Sequence, residues 1–143
     1  MDENFNNGFG PNFQSGGRNV RHVNKKKNRL GVVNIQNGQG QSSSLLSKNI
    51  NSRGMKSFRV TVAFMGIGMG LNEEFCVEYA TNNNGWKLSK CFTFSNQTYN
   101  NKKWYDVQST FNARTSNLRV RVRCNGNNNN DNVLIDRVRI QGK

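Results

Sequence analysis

Residues 75–94, FCVEYATNNNGWKLSKCFTF, are two alternating runs on either side of a polar turn. In the first, Phe75, Val77 and Tyr79 point one way. In the second, Trp86, Leu88, Phe92 and Phe94 share a face that Lys90 interrupts. Strict alternation marks half-buried strands, and Asn-Asn-Asn-Gly (Asn82–Gly85) supplies the left-handed backbone positions of a tight turn. With the turn centred on Asn83–Asn84, Phe75 faces Phe92, Tyr79 faces Leu88 and Cys76 faces Cys91. Apolar positions then oppose apolar ones, so pattern and turn predict the same hairpin.

Outward from the hairpin the chain continues in the same idiom. Residues 57–64 (SFRVTVAF) put Phe58, Val60, Val62 and Phe64 inward. Residues 30–35, 44–50, 104–111, 117–124 and 132–142 read as further strands, separated by Asn/Gly/Ser-rich loops. Nothing has the length and period of a helix. Seven to eight short strands with regular turn signals predict an all-β, antiparallel β-sandwich or jelly roll over residues 30–143. The glycines of MGIGMG (residues 65–70) precede no helix and lack a Lys-Ser/Thr pair, so they are not read as a phosphate loop.

The first 29 residues differ in composition. Asn and Gly dominate residues 1–17, and Phe5, Phe9 and Phe13 recur every four residues. Gly8, Gly10, Pro11, Gly16 and Gly17 argue against a helix there. The segment reads as a flexible tail ending in a basic run: Arg18, Arg21, Lys25, Lys26, Lys27 and Arg29. Such an arm suits a neighbouring subunit or a polyanion, including nucleic acid. Met1 is followed by Asp2, Glu3 and Asn4, unlike a signal peptide, and no apolar run is long enough for a membrane helix. An extracellular, cell-surface or virion location is the expectation from the rest of the chain.

A net charge of +13 is the strongest bulk signal. It comes from both parts: nine Lys/Arg against two acids in residues 1–57, and twelve against six afterwards. One-signed charge of this size attracts nucleic acid, acidic glycans or anionic surfaces. Arg119, Arg121 and Arg123 alternate with valines, as do Arg137 and Arg139. If both strands share a sheet, five guanidiniums lie on one surface, in a geometry suited to sulfate, carboxylate or phosphate. A solvated sheet face or a charged edge is the plainer account.

Three Cys allow one disulfide. Cys76 and Cys91 are the cross-strand candidates, as a bridge or as two adjacent thiols, and Cys124 falls on an apolar face as a buried thiol. His22 is the lone His and there is no Cys-x-x-Cys, which excludes the usual zinc sites. Asp131, just before the last strand, and Asp136, within it, are the candidates for a calcium site; no other cofactor is implied. No Ser-His-Asp set or paired carboxylates can be assigned, so a non-enzymatic role is expected.

Several pieces, in order, resemble a family of secreted jelly-roll surface and adhesion modules, found in diatom cell-wall surface proteins and as bacterial carbohydrate-binding-like modules. They are SSSLLSKNI (residues 42–50), Phe75-Cys76-Val77-Glu78-Tyr79, Asn84-Gly85-Trp86, Lys103-Trp104-Tyr105, Arg121-Val122-Arg123-Cys124, and Asp131 through Ile140. The resemblance covers about residues 42–142. It implies a jelly roll without catalysis. The family's usual Asp-Gly-Gly turn is Asn-Asn-Gly here, and Arg137 stands where an acid often follows the final Asp. Two functions follow as expectations. The first is a structural subunit of a surface layer, filament, shell or viral-type coat, forming a homo-oligomer or larger assembly through the basic arm. The alternative is an extracellular carbohydrate-binding or adhesion module, with Tyr99, Trp104 or Tyr105 stacking on sugar rings.

Overall fold

The computed structural model describes all residues, 1–143. Two antiparallel six-stranded sheets pack face to face as a jelly-roll β-sandwich. The strands in chain order are β1 (Asp2–Glu3), β2 (Phe13–Ser15), β3 (Val20–Lys26), β4 (Arg29–Gln36), β5 (Ser44–Ser47) and β6 (Ile50–Asn51). They continue with β7 (Ser57–Ile67), β8 (Glu74–Thr81), β9 (Lys87–Thr93), β10 (Trp104–Asn112), β11 (Asn117–Asn125) and β12 (Asn132–Gly142). One 3₁₀ turn, Gly40–Ser43, precedes β5. The first sheet runs β10-β7-β12-β4-β3, with β1 also on β12; the second runs β2-β5-β11-β8-β9, with β6 also on β11. No helix is long and apolar enough to cross a membrane.

The core lies between the sheets and is built from the inward residues that the alternation predicts. Val60, Val62 and Phe64 of β7, Phe75 and Val77 of β8, Val120 and Val122 of β11, and Ile135 and Val138 of β12 are all fully buried. Phe64 sits at its aromatic centre, 4.5 Å from the Phe75 ring and 5.6 Å from Tyr105. A second, smaller cluster forms on the outer side of the first sheet. There Val32, Met65 and Leu134 are buried beneath Val23, Ile67 and Trp104. The β4 strand serves both clusters: Val33 and Ile35 enter the main core while Val32 enters the outer one.

Residues 1–29 are not a free arm, which corrects the expected boundary at residue 30. β1 pairs with β12, β2 with β5, and β3 with β4, so residue 29 lies within a hairpin rather than between domains. Phe5 and Phe13 are in the main core, and Phe9 packs against it. The physical reason is that the phenylalanines are anchors spaced along irregular backbone. Phe5 itself has φ 54°, a conformation held by tertiary contacts rather than local preference.

The β8–β9 hairpin matches the predicted register at its open end and departs from it near the turn. Phe75 pairs with Phe92 and Cys76 with Cys91, but Glu78 pairs with Leu88 and Tyr79 with Lys87. Ser89 is the extra residue of a β-bulge. One inserted residue moves every later side chain to the other face. Leu88, expected inside, is 59% exposed, and Trp86 leaves the core with it. Cys76 and Cys91 are joined in a disulfide, and Cys124 is free and buried.

Candidate functional site

The bulge places Trp86 on the outer face of the second sheet, beside β11. Arg119 and Arg121 lie over its indole, with guanidinium carbons 5.2 Å and 4.5 Å from the ring centroid. On β8, Glu78 is opposite Arg121. Its carboxylate accepts from Arg121 Nε, and from Arg123 Nε and Nη2 at 3.3 Å. These side chains are largely covered, at 11% exposure for Glu78, 12% for Arg121 and 18% for Arg123. The Nε of Arg119 is buried and has no hydrogen-bond partner. The indole N–H of Trp86 likewise makes no hydrogen bond within the protein, and Leu88 adds an exposed apolar neighbour on the same side.

The arrangement is a half-buried aromatic plate on a rigid cationic base. Glu78 holds Arg121 and Arg123, and Arg121 in turn lies against the ring beside Arg119, so the side chains under the indole have less freedom to lose on binding. The alternation of β11 alone predicts the arginine ladder. Unbroken alternation in the hairpin places Trp86 on the core face, and only the bulge brings it outside. Lys90, which breaks the apolar spacing of β9, was the available signal.

The five arginines do not share a surface. Arg119, Arg121 and Arg123 belong to the second sheet, while Arg137 and Arg139 lie on the outer side of the first. Strands β11 and β12 are consecutive in sequence but sit in opposite layers. Arg137 and Arg139 are paired with Asp2: Arg137 Nε donates to Asp2 Oδ1 at 2.7 Å, and Arg139 Nε is 3.9 Å from Oδ2. The hydrogen bond from Arg137 holds the Asp2 carboxyl below the usual carboxylate range.

Trp104, Tyr105 and Tyr99 do not form one platform. Tyr105 turns inward to Phe64 and meets Tyr99 edge to face at 5.1 Å, while its hydroxyl accepts from Asn100 N at 2.9 Å. Burial raises the Tyr99 phenol above its ordinary value. Trp104, one residue earlier, lies on the opposite side of β10. It covers the small outer cluster, donates its indole N–H to the Lys27 carbonyl at 3.2 Å and lies under Arg29 at 4.8 Å. Its polar atom is already engaged, unlike that of Trp86.

The basic residues of the first segment are spread along a hairpin. Arg18 donates to Gln39 Oε1 at 3.3 Å, and Arg21 is exposed on the edge strand β3. Lys25, Lys26 and Lys27 are exposed at the β3–β4 tip, and Arg29 is 3.7 Å from Asp136.

The two calcium candidates have different partners. Asp131 accepts from the backbone N–H groups of Asn127 and Asn128 at 2.8 and 2.9 Å, which pins the loop before β12. Asp136 is the bulged residue of β12 facing Arg29, and burial raises its carboxyl pKa. The one cluster of three ligand-type side chains is Glu74 with Cys76 and Cys91, whose sulfurs are bonded to each other.

No protein-family model and no curated protein sequence matches the chain. Solved structures do match in fold. The K1 cleaved adhesin domain of Lys-gingipain from Porphyromonas gingivalis is similar over 100% of this chain and 98% of its own, at 13% identity and a TM-score of 0.69. The CBM22-1 xylan-binding domain from Paenibacillus barcinonensis Xyn10C is similar over 99% and 92%, at 8% identity and a TM-score of 0.65. A family 35 carbohydrate-binding module from Clostridium thermocellum is similar over 98% and 97%, at 13% identity and a TM-score of 0.64. At these identities the likeness is one of fold.

Proposed function

We propose that this jelly roll is a non-catalytic carbohydrate-binding module that meets its glycan through the Trp86 face of the second sheet. The observation that carries the reading is Trp86 itself: a half-buried indole held against two guanidiniums, with its N–H unpaired. An aromatic plate of this kind stacks on the C–H face of a sugar ring, and the flanking Arg and Glu groups hydrogen-bond hydroxyls. The fold it shares with carbohydrate-binding modules supports the same reading.

The rival is an assembling coat or surface-layer subunit. It drew on a free basic arm, and residues 1–29 are instead woven into both sheets. The residual support for that rival is the exposed Lys25–Lys27 tip.

The test is affinity electrophoresis against neutral polysaccharides (galactan, xylan, mannan and β-glucan) in high salt, which suppresses purely ionic retention. Retention by at least one, weakened about tenfold or more in Trp86→Ala, supports the reading. Absence of retention by any neutral glycan, with sedimentation as large particles, overturns it in favour of the subunit.

A further inference from the structure

At one end of the sandwich, the loops after β6 and after β10 meet the β8–β9 turn. Two adjoining cavities of about 430 and 380 Å³ open there. The larger is lined by Arg53, Lys56, Asn82, Arg114, Thr115 and Ser116, among others, and the smaller again by Lys56 and Arg114. None of the chain's eight acids lines either cavity. Arg53, Lys56 and Arg114 are exposed and take part in no ion pair, whereas Arg29, Arg121, Arg123, Arg137 and Arg139 all do.

The loops that carry these cations are pinned. Ser52 Oγ donates to the Thr115 carbonyl at 2.7 Å within the protein, Ser52 N to the Ser116 carbonyl at 3.1 Å, and Ala113 N to the Lys56 carbonyl at 3.1 Å. Asn82 Oδ1 accepts from Thr115 Oγ1 at 2.6 Å, which ties the hairpin turn to the same wall. The carboxamide N–H groups of Asn82 make no hydrogen bond in the protein. The result is a concave, preformed patch of three unneutralised cations interleaved with hydroxyl and amide groups.

We infer that this end is a second binding site, for the sulfate or carboxylate groups of an anionic polysaccharide. Three cations without acids select a polyanion, since like charges held together with no counter-charge are stabilised by an anionic ligand. Sugar is favoured over nucleic acid by the lining. Hydroxyl and amide groups match sugar hydroxyls, whereas proteins that hold single-stranded nucleic acid combine a basic groove with exposed aromatics on which bases stack. No aromatic side chain lines either cavity, and Phe58 and Phe111, next in sequence to lining residues, are stacked on each other and buried. None of Glu78, Trp86, Leu88, Arg119, Arg121 and Arg123 lines either cavity, and the inference stands or falls independently of the Trp86 face.

The test measures binding of the full chain to dextran sulfate, polygalacturonate and single-stranded DNA across a salt series. Two variants that remove equal charge are compared, Arg53→Gln/Lys56→Gln/Arg114→Gln and Lys25→Gln/Lys26→Gln/Lys27→Gln. All six side chains are exposed, and thermal midpoints check that both variants fold. The expected result is that dextran sulfate or polygalacturonate binds, and that the cavity variant weakens it at least tenfold and flattens the salt dependence. The hairpin-tip variant should change it under threefold. The stronger of the two polymers identifies sulfate or carboxylate as the ligand group. Equal losses in both triple variants would reduce the effect to net charge and overturn the site. So would failure to bind either polysaccharide, or tighter DNA binding with the same dependence on the cavity.

Discussion

Phe5 and Phe13 meet edge to face inside the sandwich, ring centroids 5.5 Å apart and planes inclined by 76°. Both are essentially buried, at 0% and 2% exposure. A segment that reads as a polar tail is thereby fastened into the core at two points. Gly31 provides room for it: a Cβ there would come within 2.5 Å of the Phe5 carbonyl oxygen and 2.7 Å of His22 Nε2. Phe5→Ala should cost about 3–5 kcal/mol, as large-to-small changes of buried Phe do. Urea unfolding checks this. A chain lacking residues 1–15 with an unchanged midpoint would show that the segment is dispensable.

The disulfide between Cys76 and Cys91 spans 15 residues of a hairpin. In the chain-entropy account a bridge over such a loop stabilises by about 3 kcal/mol. Cys76→Ser/Cys91→Ser should therefore unfold at clearly lower denaturant, and a reductant should move the parent protein to the same midpoint. If reduction leaves the midpoint where it was, the bridge contributes nothing to the folded state.

Glu78 is the sole carboxylate paired with Arg121 and Arg123. Glu78→Gln leaves two largely covered guanidiniums without their counter-charge, which costs about 3 kcal/mol for well-buried groups. The same change loosens the base under Trp86, so glycan retention should fall with stability. Glu78→Asp should recover part of both. An unaltered thermal midpoint in Glu78→Gln would refute this account of the ladder.

Two carboxylates on the first sheet should show opposite pH behaviour. Arg137 lowers the folded-state pKa of Asp2. Its contribution is present above the ordinary carboxylate range and is lost as pH falls through the depressed value. Burial raises that of Asp136, against the pull of Arg29. Its contribution is present below the ordinary range and is lost as pH rises through the raised value. At neutral pH, Asp2→Asn should lower the thermal midpoint and Asp136→Asn should raise it. Both differences should shrink in acid, and the Asp2 effect should fade in high salt. The same sign for the two variants would contradict the assignment.

Cys124 is fully covered, and burial pushes its thiol up to about 12. It should resist iodoacetamide at pH 8 in the folded protein and react when the chain is unfolded, as mass spectrometry would show. Because the unfolded thiol ionises near its ordinary value, stability should decline as pH rises above about 9. Rapid labelling under native conditions would place the thiol at the surface.

The class of fold and the strands from β4 onward are legible in the sequence alone. Alternation is a property of adjacent residues, and each β7, β8 or β11 side chain carries its inward or outward preference in its own chemistry. The pairing of Cys76 with Cys91 was legible for the same reason, since both lie near the open end of one hairpin. Tertiary structure decided what depends on distant partners. Residues 1–29 look disordered because their anchors are sparse, and only pockets supplied by other strands fix Phe5 and Phe13. The arginines of β11 and β12 are alike in sequence, yet the chain crosses between layers there and separates them. The one-residue bulge at Ser89 turned Trp86 from core to surface. The hairpin residues carried both outcomes. With the bulge in place, the indole lies outside the core, against the guanidiniums of Arg119 and Arg121 on β11.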